Sequence, residues 1–171
     1  MIATSIFLVV ILTGMGALLR ANDLHNKSNE MRSLLDSLTF IIEDISRNLR
    51  VGSSYECINS IPLFSIQPSP SDGNSCSGIY FKRSVPAGGT ENWVYFINQD
   101  YIKKYVDNVG SVVDLNPSKI KFTTGSGFTI INSDSQNGQP FVIIKLVGKI
   151  ENPKGGATPF TLQTSVSQRE I

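Results

Sequence analysis

Cys57, Cys76 and His25 are the residues best suited to chemistry in this 171-residue chain. A structural zinc site takes about four Cys or His ligands, and neither cysteine has a C-x-x-C partner. His25 lies far off in the chain, inside a segment whose spacing predicts a helix, so metal binding by this set is not expected. Two cysteines flanking a Pro/Ser/Gly-rich stretch read instead as a Cys57–Cys76 disulfide, which implies an oxidising, extracytoplasmic compartment. Two buried free thiols are the alternative. Closing such a loop contributes roughly 3 kcal/mol by the chain-entropy relation.

The segment TIINSDSQNGQP offers hard oxygens at Asn132, Asp134, Gln136 and Asn137. An EF-hand reading of this 132–138 loop fails, because the glycine comes one place late and Ile143 stands where the bidentate acid belongs. A hairpin turn accounts for Asn137-Gly138 without an ion. There is no G-x-S-x-G, phosphate loop or H-E-x-x-H. No catalytic residue, cofactor or metal ligand is expected, and the chain does not read as an enzyme.

Charge narrows the classes further. With 15 Lys and Arg against 14 Asp and Glu, the net charge is +1. No nucleic-acid partner is evident, because counterion release needs clustered cations. The short runs Lys82-Arg83 and Lys103-Lys104 read as solvated strand positions rather than a phosphate-binding stripe.

The elements that must carry these residues begin with MIATSIFLVVILTGMGALLRAN, which has no charge before Arg20. A cleavable signal would show a basic start, a shorter apolar core and a small-x-small site, and none is clear. Ile6, Phe7, Leu8, Val9, Val10, Ile11 and Leu12 form the dense centre of a segment just long enough to span a bilayer. No proline precedes Pro62 and no glycine falls between Gly16 and Gly52, so the helix continues. Leu34, Leu38, Ile41, Ile45 and Leu49, with Met31, recur at intervals of three and four and line one face; Leu35 and Ile42 widen it. Arg32, Asp36, Glu43, Arg47 and Arg50 lie opposite, with Glu43 and Arg47 spaced as a helix ion pair. Gly52-Ser-Ser supplies a stop. One helix of about 50 residues, roughly 75 Å long, is expected. Gly14 and Gly16 mark a bend or a close helix contact, or are simply tolerated in a span.

Beyond Gly52 the period changes. Residues 77–83, 92–99, 100–106, 118–124, 127–133, 140–151 and 158–170 are rich in β-branched and aromatic side chains, and SDGNS, PAGG, TGSG, SDSQNG and NPKGG separate them. Short gaps favour antiparallel hairpins. The expected fold is α+β: one long N-terminal helix whose C-terminal half packs on an antiparallel β-sheet. Residues 1–20 form the apolar part, 21–52 the amphipathic helix and 53–171 the disulfide-containing sheet domain.

An uncharged span running unbroken into an amphipathic helix, then a Cys-bearing antiparallel sheet, resembles the type IV pilin superfamily. The likeness lies in MIATSIFLVVILTGMGALL, in LTFIIEDISRNLR and in the tail from SKIKFTT to FTLQTSVSQRE. Asp44, Ile45, Arg47, Leu49 and Arg50 resemble the helix-end pattern of minor pilins and type II secretion minor pseudopilins. Members of the family carry a basic leader, a peptidase site and a glutamate ahead of the apolar run; here the chain starts at Met1 without them. Either the true start lies a little upstream, the preferred reading, or the subunit is not processed.

The resemblance implies a structural subunit of a type IV pilus-like or type II secretion pseudopilus filament, an initiating or tip subunit, with a major pilin the near alternative. It implies other pilin or pseudopilin subunits, the inner-membrane assembly machinery, prepilin peptidase if a leader exists, and the lipid bilayer before assembly as partners. It also implies a single-pass bacterial or archaeal membrane protein with an extracytoplasmic domain in a cell-surface or periplasmic filament. From another class comes an anchored adhesin or DNA-binding protein, for which Trp93, Tyr95 and Lys103-Lys104 are the candidate patch.

Overall fold

A computed structural model describes residues 2–59, 73–85, 88–107, 109–131, 138–151 and 156–169. The oxygen-rich loop 132–137, most of the inter-cysteine stretch and most of NPKGG lie outside the described residues. The chain divides into two compact units, Met1–Ser37 and Leu38–Ile171. The first is helix throughout its described length, and helix α1, Ile2–Arg50, carries on into the second.

Within the second unit the fold is α+β. Its strands are β1 (Gly52–Ile58), β2 (Ser75–Cys76), β3 (Gly78–Ser84), β4 (Thr90–Asn98), β5 (Tyr101–Val106), β6 (Val112–Asp114), β7 (Ile120–Phe122), β8 (Gly127–Ile131), β9 (Phe141–Glu151) and β10 (Ala157–Ser167). Where the strand pattern in the sequence suggests one sheet, the strands form two, both antiparallel. The first is ordered β1-β3-β4-β5-β6; the second is β10-β9-β8-β2, with β7 also on β9.

Helix α1 ends at Arg50 and β1 begins at Gly52. Gly52 does not cap the helix in a left-handed turn. A Cβ there would lie 2.5 Å from the Phe81 ring, so the residue is glycine because the ring fills its side-chain space. The Tyr55 hydroxyl lies 2.5 Å from the Leu49 carbonyl oxygen and 2.8 Å from that of Gly52, donating to the helix end. That satisfies a terminal carbonyl otherwise left without an intrahelical partner. Leu38, Ile41, Ile45 and Leu49 are almost fully buried, as are Phe81 and Tyr95. Phe81 stacks on Tyr95 with centroids 6.0 Å apart and planes at 14°, and Tyr55 and Trp93 flank it.

Two stitches join the sheets. The Cys57–Cys76 disulfide links β1 of the first sheet to β2 of the second. At the far end of β5, buried Asn116 accepts from the Ile102 N–H at 2.8 Å and donates to the Ile120 carbonyl at 2.7 Å. In the second sheet, Ser126 fills the gap between β7 and β8. Its hydroxyl accepts from the Val147 N–H at 2.8 Å and donates to the Val147 carbonyl at 2.7 Å, replacing a missing ladder rung.

Gly148 of β9 pairs across to Phe122 on one side and Phe160 on the other. The two rings meet edge to face at 6.0 Å over the glycine, filling the space it leaves. A Cβ there would run into the Lys121 carbonyl oxygen and come within 2.8 Å of the Phe160 ring. Gly148→Ala is therefore expected to cost about 1–3 kcal/mol, read as a lowered Tm by circular dichroism. Removing the disulfide with Cys57→Ser and Cys76→Ser, whose sequence separation is 19, should cost about 3 kcal/mol. Identical gel mobility of the native chain with and without reductant would contradict the bond.

Candidate functional site

Residues 3–29 of the first unit form a helical surface that is exposed throughout. Ile6, Phe7, Leu8, Val9, Val10, Ile11 and Leu12 are all exposed, from 42% at Ile11 to 67% at Leu12. Apolar side chains exposed around the whole circumference cost free energy in water, at about 25 cal/mol per Å². Such a surface suits lipid or a bundle of similar helices. Thr13 conforms to that demand, because its hydroxyl turns back to the carbonyls of Val9, at 2.9 Å, and Val10, at 3.0 Å. A hydroxyl satisfied inside its own helix needs no water. The helix passes through Gly14 and Gly16 unbroken, and, beyond the adjoining residues and the helix's own backbone, neither has a described atom within 4 Å of where a Cβ would stand. By length and composition it can cross a membrane. His25 is exposed, 3.2 Å from Asn29 Nδ2. Among the described residues no three His, Cys, Asp or Glu gather as a metal set.

Further along α1, Leu34 is buried, while Leu35 is 43% exposed and Phe40 68% exposed. Leu35 therefore does not widen the buried stripe. Glu43 and Arg47 are exposed and form no ion pair, although their spacing allows one.

The helix meets the first sheet through a polar set as well as an apolar stripe. The Tyr95 hydroxyl, deeply buried, donates to Asp44 Oδ2 at 2.8 Å and accepts from Asn48 Nδ2 at 2.8 Å. Arg83 Nη1 donates to Asn48 Oδ1 at 3.1 Å, and Lys104 Nζ lies 3.3 Å from Asp44. Both cations also sit against Trp93, Arg83 at 4.8 Å and Lys104 at 4.5 Å from the ring centroid, a favourable arrangement with the ring quadrupole. No buried side-chain nitrogen or oxygen among the described residues lacks a partner.

These positions correct the solvated-strand reading of the lysine and arginine runs. Strand alternation separates each run residue by residue. Lys82 is exposed and Arg83 faces the helix; Lys104 faces the helix, while Lys103 pairs with Asp114 at 2.5 Å. On the helix, the 3.6-residue period likewise separates the Asp44, Arg47 and Arg50 pattern, with Asp44 turned to the sheet and both arginines exposed. Trp93 and Tyr95 are core residues, 8% and 0% exposed, so neither forms a surface aromatic patch. Sequence reasoning missed the partnership of Asp44 and Asn48 with the sheet. Their i, i+4 spacing inside an otherwise apolar stripe was the available signal.

Beside this set lies a groove of about 500 Å³ whose lining includes Phe40, Trp93, Val106, Val113, Asp44 and Lys104. It is open and mostly apolar. The chain matches no protein-family model, no curated protein and no solved structure.

Burial, then the neighbouring Asp44 carboxylate, pushes the Tyr95 hydroxyl well above its ordinary value of 10.0; burial alone does the same for Tyr55. A proton held more tightly in the folded than in the unfolded chain gives stability that is complete below the unfolded value and lost as pH rises past it. Stability should therefore fall above about pH 10. In an alkaline titration, the tyrosinate absorbance of Tyr55 and Tyr95 should rise only together with loss of the circular dichroism signal. Ionisation of all five tyrosines before that loss would contradict the buried pair. Tyr95→Phe should make the alkaline decline shallower and lower neutral-pH stability by about 1–3 kcal/mol, because Asp44 and Asn48 lose a buried partner.

Proposed function

We propose that this chain is a structural subunit of a type IV pilus-like or type II secretion pseudopilus filament. Its N-terminal helix holds it in the membrane before assembly and polymerises with other pilin or pseudopilin subunits afterwards. The observation that carries this reading is one uninterrupted helix with two different surroundings. Its uncharged first part is exposed on every side, and its last part supplies core residues to a disulfide-bonded β domain.

The physics suits that double life. Lipid tails and a bundle of apolar helices are comparable solvents for Ile, Leu and Val, so transfer between them costs little. Gly14 and Gly16 allow a neighbouring helix to approach closely. The disulfide fits a domain on the oxidising, extracytoplasmic side of a bacterial or archaeal membrane. The helix-end pattern of Asp44, Arg47 and Arg50 favours an initiating or tip subunit over a major pilin, with the inner-membrane assembly machinery as a further partner. The buried positions of Trp93 and Tyr95 remove the aromatic patch that an anchored adhesin would have used.

Val10→Glu tests the reading. A charge in mid-span costs about 2.5–3.5 kcal/mol on insertion scales, and in a filament core it meets apolar side chains. Cells carrying Val10→Glu should produce no filaments, while the β domain keeps its disulfide and circular dichroism spectrum. Normal filaments from those cells would overturn the helix-core role.

A further inference from the structure

The sheets have several edges, and all but one are blunted in the ways proteins use against unwanted pairing. Strand β1 is interrupted by a bulge between Ser53 and Glu56, where Ser54 takes φ 54°. Strands β6 and β7 have three residues each and β2 has two. Strand β10 differs. It is 11 residues long, lies in continuous register with β9 and contains no charged residue and no bulge. Among the described residues β9 is its only strand partner.

Backbone alternation fixes which groups face outward. Gln168 N–H donates to the Pro140 carbonyl at 3.0 Å, on the β9 side. Pro159 has no N–H and holds the opposite parity, where none is needed by the ladder. Arg169, also of that parity, points its N–H away from β9 and donates to the Arg50 carbonyl at 2.9 Å, at the end of α1. The N–H groups of Thr161, Gln163, Ser165 and Ser167 therefore face outward along the same edge. One face of β10 is half-covered, with Phe160, Leu162 and Thr164 on it, and the other is exposed. A strand added to this edge would extend that face if it carried apolar residues at alternate positions.

The edge ends beside a pocket of about 440 Å³ lined by Arg47, Arg50 and Arg169, with Glu43, Ser46 and Val51. All three arginines are exposed. Among the described residues none of the three guanidinium groups has an ion-pair partner. Among the described lining residues, three cations against one carboxylate favour an acidic visitor, and guanidinium groups bind carboxylates in paired hydrogen bonds.

We propose that the β10 edge is a strand-addition site for an extended segment of a partner protein, apolar at every second residue and acidic at the end that meets Arg47, Arg50 and Arg169. A second copy of β10 would supply the alternation but not the acid, since residues 157–167 carry no charge. This holds whether or not the chain assembles into filaments.

The test uses the full chain in detergent micelles. The probes are fluorescent peptides of alternating threonine and valine with two glutamates, or two lysines, at one end or the other. In the free protein the amides of Thr161, Gln163 and Ser165 should exchange with deuterium rapidly, and a glutamate-ended peptide should slow them at least tenfold. Gln163→Pro, at a position whose N–H the β9 ladder does not use, should keep the fold and lose at least tenfold in affinity. Arg47→Glu should weaken the glutamate peptides tenfold and leave the lysine peptides no weaker. Slow exchange in the free chain, equal binding by Gln163→Pro, or no binding by any peptide would overturn the site. So would self-association of the native chain abolished by Gln163→Pro, which would assign the edge to a second copy. Should Gln163→Pro unfold, Ser165→Pro and amide exchange in the native chain decide the matter.

Discussion

An apolar helix stripe on an apolar sheet is free to slide, and the remainder of the fold depends on preventing that. Leu38, Ile41, Ile45 and Leu49 repeat at similar spacings, so dispersion and area burial alone discriminate weakly between settings one turn apart. The Tyr95 hydroxyl removes the ambiguity. It donates to Asp44 and accepts from Asn48, using both halves of one group. A one-turn slip would leave buried polar groups unpaired, each at about 1–3 kcal/mol. Burial strengthens these bonds and also raises the cost of breaking them. The surface cations follow from this setting: Arg83 reaches Asn48 and Lys104 reaches Asp44 only because the helix presents those two residues to the sheet.

Once the helix is set, the two sheets are constrained at separate points by unlike means. One stitch is covalent, between β1 and β2. The other is the carboxamide of Asn116, which serves as donor and acceptor to strands of different sheets. Lys121 adds to it, donating to the Tyr101 hydroxyl at 2.9 Å and lying over that ring at 4.4 Å. Where a strand is broken, as between β7 and β8, a serine hydroxyl completes the ladder. Side chains thus do locally what backbone pairing does elsewhere.

The helix and the long strands were legible because periodicity is a property of many residues together. The uncharged run, the stripe from Leu34 to Leu49 and the β-branched runs of β3, β4, β5, β8 and β9 each repeat a pattern long enough to read. Strand β1 was not legible, because Gly52-Ser-Ser has the composition of a stop and the strand starts after a single intervening residue, Val51. Strands β2 and β6 are too short to carry a period. The division into two sheets was hidden as well, since alternation shows that a face is buried but not what covers it. The polar set beneath α1 joins residues up to 60 positions apart, and local spacing could suggest only its helix half. In β10, small polar residues weaken the alternation in sequence, yet the half-covered face appears at every second residue from Thr158 to Val166.

The passage from Arg50 to Gly52 has a mechanical meaning. Tension applied along α1 enters β1 almost directly, with no slack linker to absorb it. Strand β1 pairs with β3 on both sides of its bulge, at Gly52 and Ser53 and again from Glu56 to Ile58, so the load reaches β3 at two places. At Cys57 the load divides, because the disulfide carries part of it into β2 and the second sheet. Extension of the chain under force cannot proceed through residues 57 to 76 while that bond stands. The covalent link into the second sheet thus stands about 16 Å along β1 from the helix end, at about 3.3 Å per residue.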